Sequence, residues 1–416
     1  MAQADAVDRS EMTWVTTYAE VDQLLKSPAF VPSLHLRSSA PLLEHTLMTL
    51  DVDDHLARRR TEVVMFSRAQ LSEYELHIVA PTLRASLEHA LTAAGAAAKV
   101  DILQLMRHAL LRVTAHIVGL DDVDSPGRAE ELRVLAEAFG EAASAEWARE
   151  GQAEIVARSL RARDRFDAEF FLPSLQRRTA ILAEQRAGQV GNQIGTETVP
   201  NDLLTILLSA HDGWDADLLA REIIFFIVAS SNTTTHSAPH VLHDLLTWFE
   251  DHPGDRARCG ELSFLQRAVS ESLRLHPTVP ALLRMAREDV TLPSGRSFVK
   301  GEHIACDLSR SNVDPDAFGP TAHVYDPHRE LTRRVPFYGQ AFGGGSHTCL
   351  GRPVAVGAGN GSIGRPDAPA GVLVRLLEEL FRFDPRLDPL DPPVLRDDTA
   401  AVRYERFPIT LTRRTE

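Results

Sequence analysis

Cysteine is scarce in this chain of 416 residues, with three in all, at positions 259, 306 and 349. Three scattered cysteines do not provide the disulfide framework of a secreted domain. The first twelve residues are polar and lack the apolar core of an export signal. We therefore expect a protein of a reducing compartment, the cytoplasm.

Long apolar runs are also missing. The longest clear one covers residues 223–229, whereas a spanning helix needs about 20 residues, so we expect no association with a membrane. Acidic residues outnumber basic ones by 58 to 44, which argues against a nucleic-acid partner because such a partner needs a basic face. A hydrophobic content of 44% is ordinary for a folded protein and excludes a mostly disordered chain.

Helix-forming residues dominate the first 300 positions, whereas the later part contains short strand-like runs. The patterns predict one mainly α domain over 1–416 with a small β region. The predicted helices cover residues 16–25, 53–66, 81–98, 101–118, 128–186, 201–210, 215–249, 262–275 and 371–381. The predicted strands cover 290–293, 297–299 and 303–306, and the predicted loops 188–200 and 312–345.

A glycine-rich segment surrounds the third cysteine, with the sequence FGGGSHTCLG at 342–351. Glycine lets backbone N–H groups approach a ligand closely, and such donors around a sulfur favour a thiolate that binds metal. A single cysteine is a poor start for a structural zinc site, but a thiolate can be the axial ligand of a haem iron. The alternative is a turn with an incidental buried cysteine.

The pattern Phe-x-x-Gly-x-His-x-Cys-x-Gly, from Phe342 to Gly351, resembles the haem-ligand loop of the cytochromes P450, the haem-thiolate monooxygenases. The resemblance implies haem b as cofactor, with Cys349 as the axial ligand of its iron and with Phe342 and Gly351 beside it. Glu271 and Arg274 match the family's Glu-x-x-Arg pair, which anchors the segment around the haem loop. Without the resemblance they would be an ordinary surface ion pair.

Several cationic residues resemble the family's contacts to the haem propionates. His55 and Arg59 lie four residues apart at a helix entry, so they share a face. Arg284 follows Glu271 by 13 residues, and His347 precedes the cysteine by two. The neighbouring Arg58 and Arg60 are interpreted instead as a solvated basic stripe.

The segment 229–235, ASSNTTT, interrupts the apolar run of the long helix. The resemblance places Asn232 at the family's acid position and Thr233 at its alcohol position, beside bound oxygen, and Ser230 at a family glycine. A hydroxyl can hold a water, whereas an amide cannot cycle through protonation states. We expect proton delivery through water held by Thr233 and Asn232. The alternative is a helix bend without chemistry, because hydroxyls can bond back to helical carbonyls.

The chain also departs from the family pattern. Only about fifty residues precede Asp51, where the family usually has a further helix and strands. An insert at about 357–369 is expected to delay or break the helix that follows the cysteine. Its Gly359-x-Gly361-x-x-Gly364 is not a dinucleotide fingerprint, because prolines follow it in place of a helix.

The resemblance implies the cytochrome P450 fold, with the haem between the long central helix and the cysteine loop. It implies a monooxygenase that inserts one oxygen atom from O2 into an apolar substrate such as a terpenoid, steroid or fatty acid, by hydroxylation or epoxidation. Electrons would come from a separate ferredoxin and ferredoxin reductase, or similar donors. The alternatives are a non-oxygenase haem-thiolate protein (a sensor, a carrier, or a peroxide-dependent or isomerising enzyme) and a haem-free helical interaction protein, which four ordered motif matches disfavour. The candidate pocket residues, each of which can equally be core, are Phe226, Ala229, Val279, Ala281 and Leu282.

Overall fold

The computed structural model describes residues 12–33, 40–50, 52–94, 97–143, 145, 148, 151–191, 199–211, 213–332, 334–357, 363–365, 368–397, 399 and 402–412. The chain forms two compact units. The C-terminal unit comprises Met1–Arg37, Leu83–Leu105 and Thr233–Glu416, and the helical unit comprises Ser38–Thr82 and Met106–Asn232. The single domain expected for 1–416 stays a prediction.

The described residues are mainly helical, as the composition predicts. The helices are α1 Tyr18–Lys26, α2 Ala40–Leu43, α3 Val52–Glu62, α4 Arg68–Tyr74, α5 Ala80–Ala94, α6 Ile102–Val118, α7 Pro126–Ala142, α8 Gln152–Phe166, α9 Leu172–Gly191, α10 Leu203–Ala210, α11 Ala216–Ile227, α12 Thr233–Asp251, α13 Leu262–Leu275, α14 Leu308–Ser311, α15 Pro315–Phe318, α16 Arg352–Val356 and α17 Val372–Leu380. Among the described helices, none is both long and apolar enough to cross a membrane.

The strands are short. They are β1 Thr13–Val15, β2 Phe30–Pro32, β3 Ala97–Asp101, β4 Ala281–Ala286, β5 Val290–Thr291, β6 Ser297–Phe298, β7 His303–Asp307, β8 Arg386–Leu387, β9 Val394–Leu395, β10 Tyr404–Arg406 and β11 Pro408–Thr412. The largest sheet has the order β1-β7-β4-β2 and belongs to the C-terminal unit. Its β1 runs parallel to β7, while β4 is antiparallel to both β7 and β2.

The core of this sheet contains Val15, Leu24, Ile304 and Cys306, all fully buried. Strand β4 lies between β2 and β7, and its Arg284 is opposite Pro32 on one side and Ile304 on the other. Two neighbouring strands therefore fix the backbone of Arg284. In the helical unit, α7 and α8 pack through aromatic rings, with the Phe139 and Phe166 centroids 5.6 Å apart.

Several helix boundaries follow from local sequence signals. The carboxylate of Asp202 accepts from Thr205 N–H (2.9 Å) at the start of α10, and that of Asp215 accepts from Leu218 N–H (2.8 Å) at the start of α11. Such caps satisfy donors that a helix leaves open at its first turn. The helix predicted at 262–275 is confirmed by α13.

Other boundaries were wrong. The helix predicted to residue 98 ends at Ala94, and β3 begins at Ala97. The loop predicted from 188 begins later, because α9 continues to Gly191. The helix predicted at 16–25 is confirmed by α1, whereas β1 and β2, which lie in the same segment before Asp51, were not predicted. Three-residue strands have too little periodicity to be detected, and pairing with distant partners determines them.

The predicted break in the helix after the cysteine loop is confirmed. Helix α16 stops at Gly357, whose φ is +77°, and α17 starts after Gly371, whose φ is +94°. A Cβ at Gly371 would lie 2.4 Å from Gly357 N, so the two backbones touch. Residues 358–362 and 366–367 of the insert, including Gly359 and Gly361, lie outside the described residues. Its Gly364 N–H donates to Gln266 Oε1 of α13 (2.9 Å).

We expect Gly371→Ala to lower the free energy of unfolding by at least about 2 kcal/mol, because a side chain at positive φ is strained and this one also meets backbone. The control is Gly254→Ala, where a Cβ meets nothing within 4 Å. Urea unfolding of both variants measures the difference. Equal stability of the two would show that the glycine contact does not constrain the helix break.

Candidate functional site

The cysteine loop lies in the C-terminal unit and is shaped by its glycines. Gly343 and Gly345 have φ of +67° and +65°, a region that favours glycine. A Cβ at Gly345 would lie 2.1 Å from Leu25 O of α1, so no other residue fits there. Cys349 N–H donates to Phe342 O (2.9 Å) and closes the loop. Cys349 is an exposed residue, whereas Cys259 and Cys306 are buried.

The same loop lies against strand β4. A Cβ at Gly343 would be 3.4 Å from Leu282 Cδ1. The strand that contains Leu282 also contains Arg284. The fold of the C-terminal unit therefore brings the cysteine loop, β4 and the start of α16 together, and Gly351 is the N-cap residue of α16.

A buried carboxylate anchors this region. Glu271 Oε2 accepts from Arg274 Nε (2.8 Å), and its Oε1 accepts from Arg274 Nη2 (2.7 Å) and from Arg329 Nε (2.9 Å). Glu271, Arg274 and Arg329 are at most 6% exposed. The interpretation of Glu271 and Arg274 as a surface ion pair is therefore excluded.

A chain of hydrogen bonds leads from this anchor to the cysteine loop. Arg274 Nη1 donates to Asn312 O (2.6 Å), and Asn312 Oδ1 accepts from Gln340 N–H (2.7 Å). Gln340 O then accepts from Gly343 N–H (2.8 Å). A Cβ at Gly339 would lie 2.4 Å from Asn312 Oδ1, so the turn before the loop also requires glycine.

Arg329 is a further residue of the anchor, and its role was not predicted from the sequence. It lies in the irregular segment 312–345 and donates to three backbone carbonyls as well as to Glu271, among them Val324 O (2.6 Å) and Phe318 O (2.9 Å). Arginine supplies five fixed donors, so one buried guanidinium can hold several turns of a loop. The feature of the sequence that could have indicated this role is an arginine within a long segment rich in proline and aspartate.

We expect Glu271→Gln to lower the free energy of unfolding by about 3–5 kcal/mol, because it leaves two buried guanidiniums without their anion. The matched control is Glu261→Gln. Glu261 pairs with Arg258 at 3.0 Å, but both side chains are over a third exposed, so its loss should cost less than about 1 kcal/mol. Urea titration checks both. A loss for Glu271→Gln as small as that of the control would contradict the anchor.

Arg284 is a buried cation. Arg284 is 6% exposed, and its Nη1 donates to Leu283 O (2.9 Å). Within the part of the chain that the structure describes, no carboxylate pairs with it. Burial lowers the pKa of this guanidinium, an effect that nearby Cys306 opposes. A buried charge is costly unless an anion compensates it. Arg284 therefore fits an anionic group from outside the chain. His347, half-buried, lies in the turn Gly345–His347 of the same unit.

His55 and Arg59 lie in the helical unit, on α3. His55 is buried, and burial together with the charge of Arg59 lowers its pKa to about 4. The imidazole is thus neutral at physiological pH and has one donor and one acceptor nitrogen. Arg59 is half-buried.

The interpretation of Arg58 as solvated is wrong. Arg58 is buried, pairs with Glu222 of α11, and its Cζ lies 3.8 Å from the Trp214 ring centroid. The face of α3 with His55, Arg58 and Glu62 is buried, so it packs inside the unit. Arg60 is exposed, as predicted.

Glu62 and Glu222 form a pair of buried carboxyl groups beside Arg58. Neither residue has accessible surface. Glu222 accepts from Arg58 and from Leu47 N–H (3.0 Å). Burial and the charge of Glu222 raise the pKa of Glu62 well above 4.5, the ordinary value. Glu62 therefore keeps its proton in the folded protein, and one guanidinium balances the one remaining carboxylate.

Because the unfolded chain releases the Glu62 proton above about pH 4.5 and the folded protein retains it, stability should fall as the pH rises. We expect Glu62→Gln to remove this dependence, so that its stability relative to the natural protein increases with pH by up to about 1.4 kcal/mol per pH unit. Urea unfolding at about pH 5.5 and about pH 7.5 checks it. Glu44→Gln, at an exposed position, is the control. A constant difference between the two pH values would show that Glu62 is ionised in the fold.

The interruption of the long helix is real and has π-helical geometry, at Val228–Asn232 in the helical unit. Ser230 Oγ donates to Phe226 O (2.6 Å) and lies 2.8 Å from Thr114 Oγ1 of α6, and Ser231 Oγ donates to Ile227 O. The side chain of Asn232 lies against Gly140 of α7, where a Cβ would be 3.3 Å from Asn232 Cγ. Serine back-bonding accompanies the bend, as the alternative interpretation expects.

The candidate pocket residues have different environments. Phe226 is buried and stacks on Phe66 with centroids 6.4 Å apart, whereas Ala229 is exposed. In the C-terminal unit, Val279 is 39% exposed and Ala281 is buried opposite Asp307 in the sheet. Their assignment to a substrate pocket stays a prediction.

Comparisons with known proteins agree with this geometry. The family model described as Cytochrome P450 matches residues 255–356 and ends at the last residue of α16. A bifunctional cytochrome P450/NADPH–P450 reductase 2 of Bacillus subtilis is 28% identical over 176 residues, which cover 37% of this chain and 17% of that protein. Cytochrome P450 52A4 of Candida maltosa is 28% identical over 216 residues, covering 47% of this chain and 37% of that protein. The chain thus spans well under half the length of these relatives.

Solved structures match nearly the whole chain. The crystal structure of CalO2 has a TM-score of 0.69 at 21% identity and covers 96% of this chain and 90% of that chain. CYP109E1 from Bacillus megaterium, in complex with corticosterone, has a TM-score of 0.68 at 18% identity, with coverage of 96% and 92%. CYP154A1 from Streptomyces coelicolor A3(2) has a TM-score of 0.67 at 22% identity, with coverage of 95% and 90%. At these identities the match shows the fold, which agrees with the expected architecture.

Proposed function

Because the chain belongs to the cytochrome P450 family, we propose that it is a haem-thiolate monooxygenase that inserts one oxygen atom from O2 into an apolar organic substrate. The observation that carries the proposal is the exposed residue Cys349 on a glycine loop, which hydrogen bonds tie to the Glu271 anchor. A loop held in this way presents a sulfur that can bind a metal.

The residues fit haem b. Cys349 would hold the iron, with Phe342 and Gly351 in the loop around it. In the C-terminal unit, Arg284 and His347 would bind propionate, and the same role for His55 and Arg59 of α3 stays a prediction. The buried guanidinium of Arg284, which no described carboxylate pairs with, supports this assignment, because charge-assisted hydrogen bonds to a carboxylate would compensate its burial. When bound through a thiolate, haem supplies the activation of O2.

Thr233 and Asn232 are the proposed proton-handling residues. The Thr233 hydroxyl can donate a hydrogen bond and hold a water, and the Asn232 amide can orient that water but cannot carry a proton. The π turn that ends at Asn232 fixes the backbone just before Thr233, through the back-bonded Ser230 hydroxyl and the contact of Asn232 with Gly140.

The substrate class is proposed from the pocket candidates and from the neighbours. Phe226, Ala229, Val279, Ala281 and Leu282 are apolar, which suits a terpenoid, a steroid or a fatty acid. CYP109E1 was solved with corticosterone and with testosterone, and P450BioI with a hexadec-9Z-enoic acid on its acyl carrier protein. We propose a ferredoxin and its reductase as separate electron donors. The cytoplasmic location stays a prediction.

One observation favours a second candidate, a haem-thiolate protein that does not use O2 in this way, such as a peroxide-dependent or isomerising enzyme. Asn232 lies where the family has an acid, so the residue cannot relay protons from solvent. Consumption of NADH with a surrogate ferredoxin and reductase, together with product formation, distinguishes the monooxygenase from this candidate.

We expect the reduced, carbon-monoxide-bound protein to show the strongly red-shifted Soret band of a thiolate complex. The band should disappear in Cys349→Ser, which removes the sulfur, and remain in Cys259→Ser, which alters a buried cysteine outside the loop. Absorbance spectra of the three proteins check this. A red-shifted band that persists in Cys349→Ser, or its absence from the natural protein, would contradict the proposed function.

A further inference from the structure

One face of α12 has a polar stripe in an otherwise apolar setting. Thr233, Ser237, His240 and Asp244 are spaced by four, three and four residues, so they lie one above the other. Ser237 and His240 are 5% and 7% exposed. Buried polar groups are costly unless they are hydrogen-bonded, so this stripe requires polar partners.

The partners come from a five-residue segment, 276–280, which joins α13 to β4 and is called the connector below. Thr278 Oγ1 lies 2.8 Å from Ser237 Oγ. The His276 ring stacks on the His240 ring, with centroids 4.5 Å apart and planes at 16°. His276 Nε2 lies 3.2 Å from Asp244 Oδ2. The connector therefore packs along the stripe from Asp244 to Ser237.

The direction of the hydroxyl contact follows from counting protons. Ser237 Oγ donates to Thr233 O (3.0 Å) and has one proton to give. The Thr278 hydroxyl must then be the donor to Ser237. The result is a directed chain from the connector to the carbonyl of Thr233. A side-chain donor on a helical carbonyl bends the helix at that turn.

His240, the next residue of the stripe, is neutral in the physiological range. Burial, together with the charge that His276 can carry, lowers the pKa of His240 to about 4. Neutral His240 donates from Nε2 to Val402 O (3.1 Å). Burial also raises the pKa of Tyr404 to about 12, and its ring lies 4.9 Å from that of His240. The His240 ring thus presents a neutral, hydrogen-bonded face to the connector.

We propose that Ser237 and Thr278 are positioning residues for Thr233, which set the backbone of the first turn of α12 and so the place of the Thr233 hydroxyl. The inference rests on the proposed function, in which that hydroxyl holds water at the oxygen side. The connector continues through the exposed Val279 into β4, which contains Leu282 and the buried Arg284. One short segment therefore links the Thr233 turn to the candidate pocket and to the cysteine loop.

The test uses a matched pair at one position. Thr278→Val keeps the shape but removes the donor, and Thr278→Ser keeps the donor but removes a methyl group. Ser237→Ala and the double variant Ser237→Ala/Thr278→Val complete a double-mutant cycle. Hydrogen–deuterium exchange of the amides at 233–237 is measured on each full-length protein as purified. Product formed per NADH is measured with testosterone as the probe, and the carbon-monoxide spectrum reports the state of the thiolate.

We expect Thr278→Val and Ser237→Ala each to accelerate exchange at 233–237 by about five-fold, the effect of losing one hydrogen bond. Exchange in the double variant should exceed that of the faster-exchanging single variant by no more than about two-fold, and exchange in Thr278→Ser should resemble that of the natural protein. Product per NADH should fall several-fold in step with exchange, while the red-shifted Soret band is kept.

Equal exchange in Thr278→Val and Thr278→Ser, or additive effects in the double variant, would overturn the proposal. Faster exchange with unchanged product per NADH would also overturn it, because Thr233 would then not depend on its support. If the natural protein lacks the thiolate band or forms no product, the proposed function fails. The exchange measurement still decides whether the two hydroxyls position the turn.

Discussion

The carboxylate of Glu271, shared between two buried guanidiniums, is the interaction on which the C-terminal unit depends. Arg274 and Arg329 extend it to backbone carbonyls in the irregular segment 312–345, which has few regular elements of its own. A long segment without secondary structure must satisfy its carbonyls in another way. Here charged side chains supply the donors, and the order reaches Gln340 and the cysteine loop.

The buried charges around α13, β4 and the segment 312–345 are mostly positive. Among the described residues of α13, β4 and the segment 312–345, three arginines are buried, Arg274, Arg284 and Arg329, against one buried acid, Glu271. In the helical unit, by contrast, the proton kept by Glu62 leaves Arg58 and Glu222 balanced. The excess of buried positive charge around α13 and β4 suits a dianionic cofactor, since binding would bring the missing anions with it.

The sequence indicated the elements that depend on local signals and missed those that depend on distant partners. The bounds of α13 and the break at Gly357 follow from hydrophobic spacing and from glycine, so both could be predicted. Strands β1 and β2 exist because β7 and β4 lie beside them. The burial of Arg58 and Arg329 could not be predicted. Arginine is ordinarily a surface residue, and the sequence does not reveal which distant acid pairs with it. The motif around Cys349 indicated the loop, and long-range contacts revealed what holds it.

The contact between Gly357 and Gly371 has a consequence for how the chain can vary. The helix stops and restarts at two backbones that touch, so the two ends of the intervening stretch 358–370 are held at one point. The closure entropy of such a loop grows only slowly with its length. The spacing between α16 and α17 is therefore independent of how many residues intervene. This position is a natural splice point, where sequence can be gained or removed without shifting the register of the cysteine loop before it.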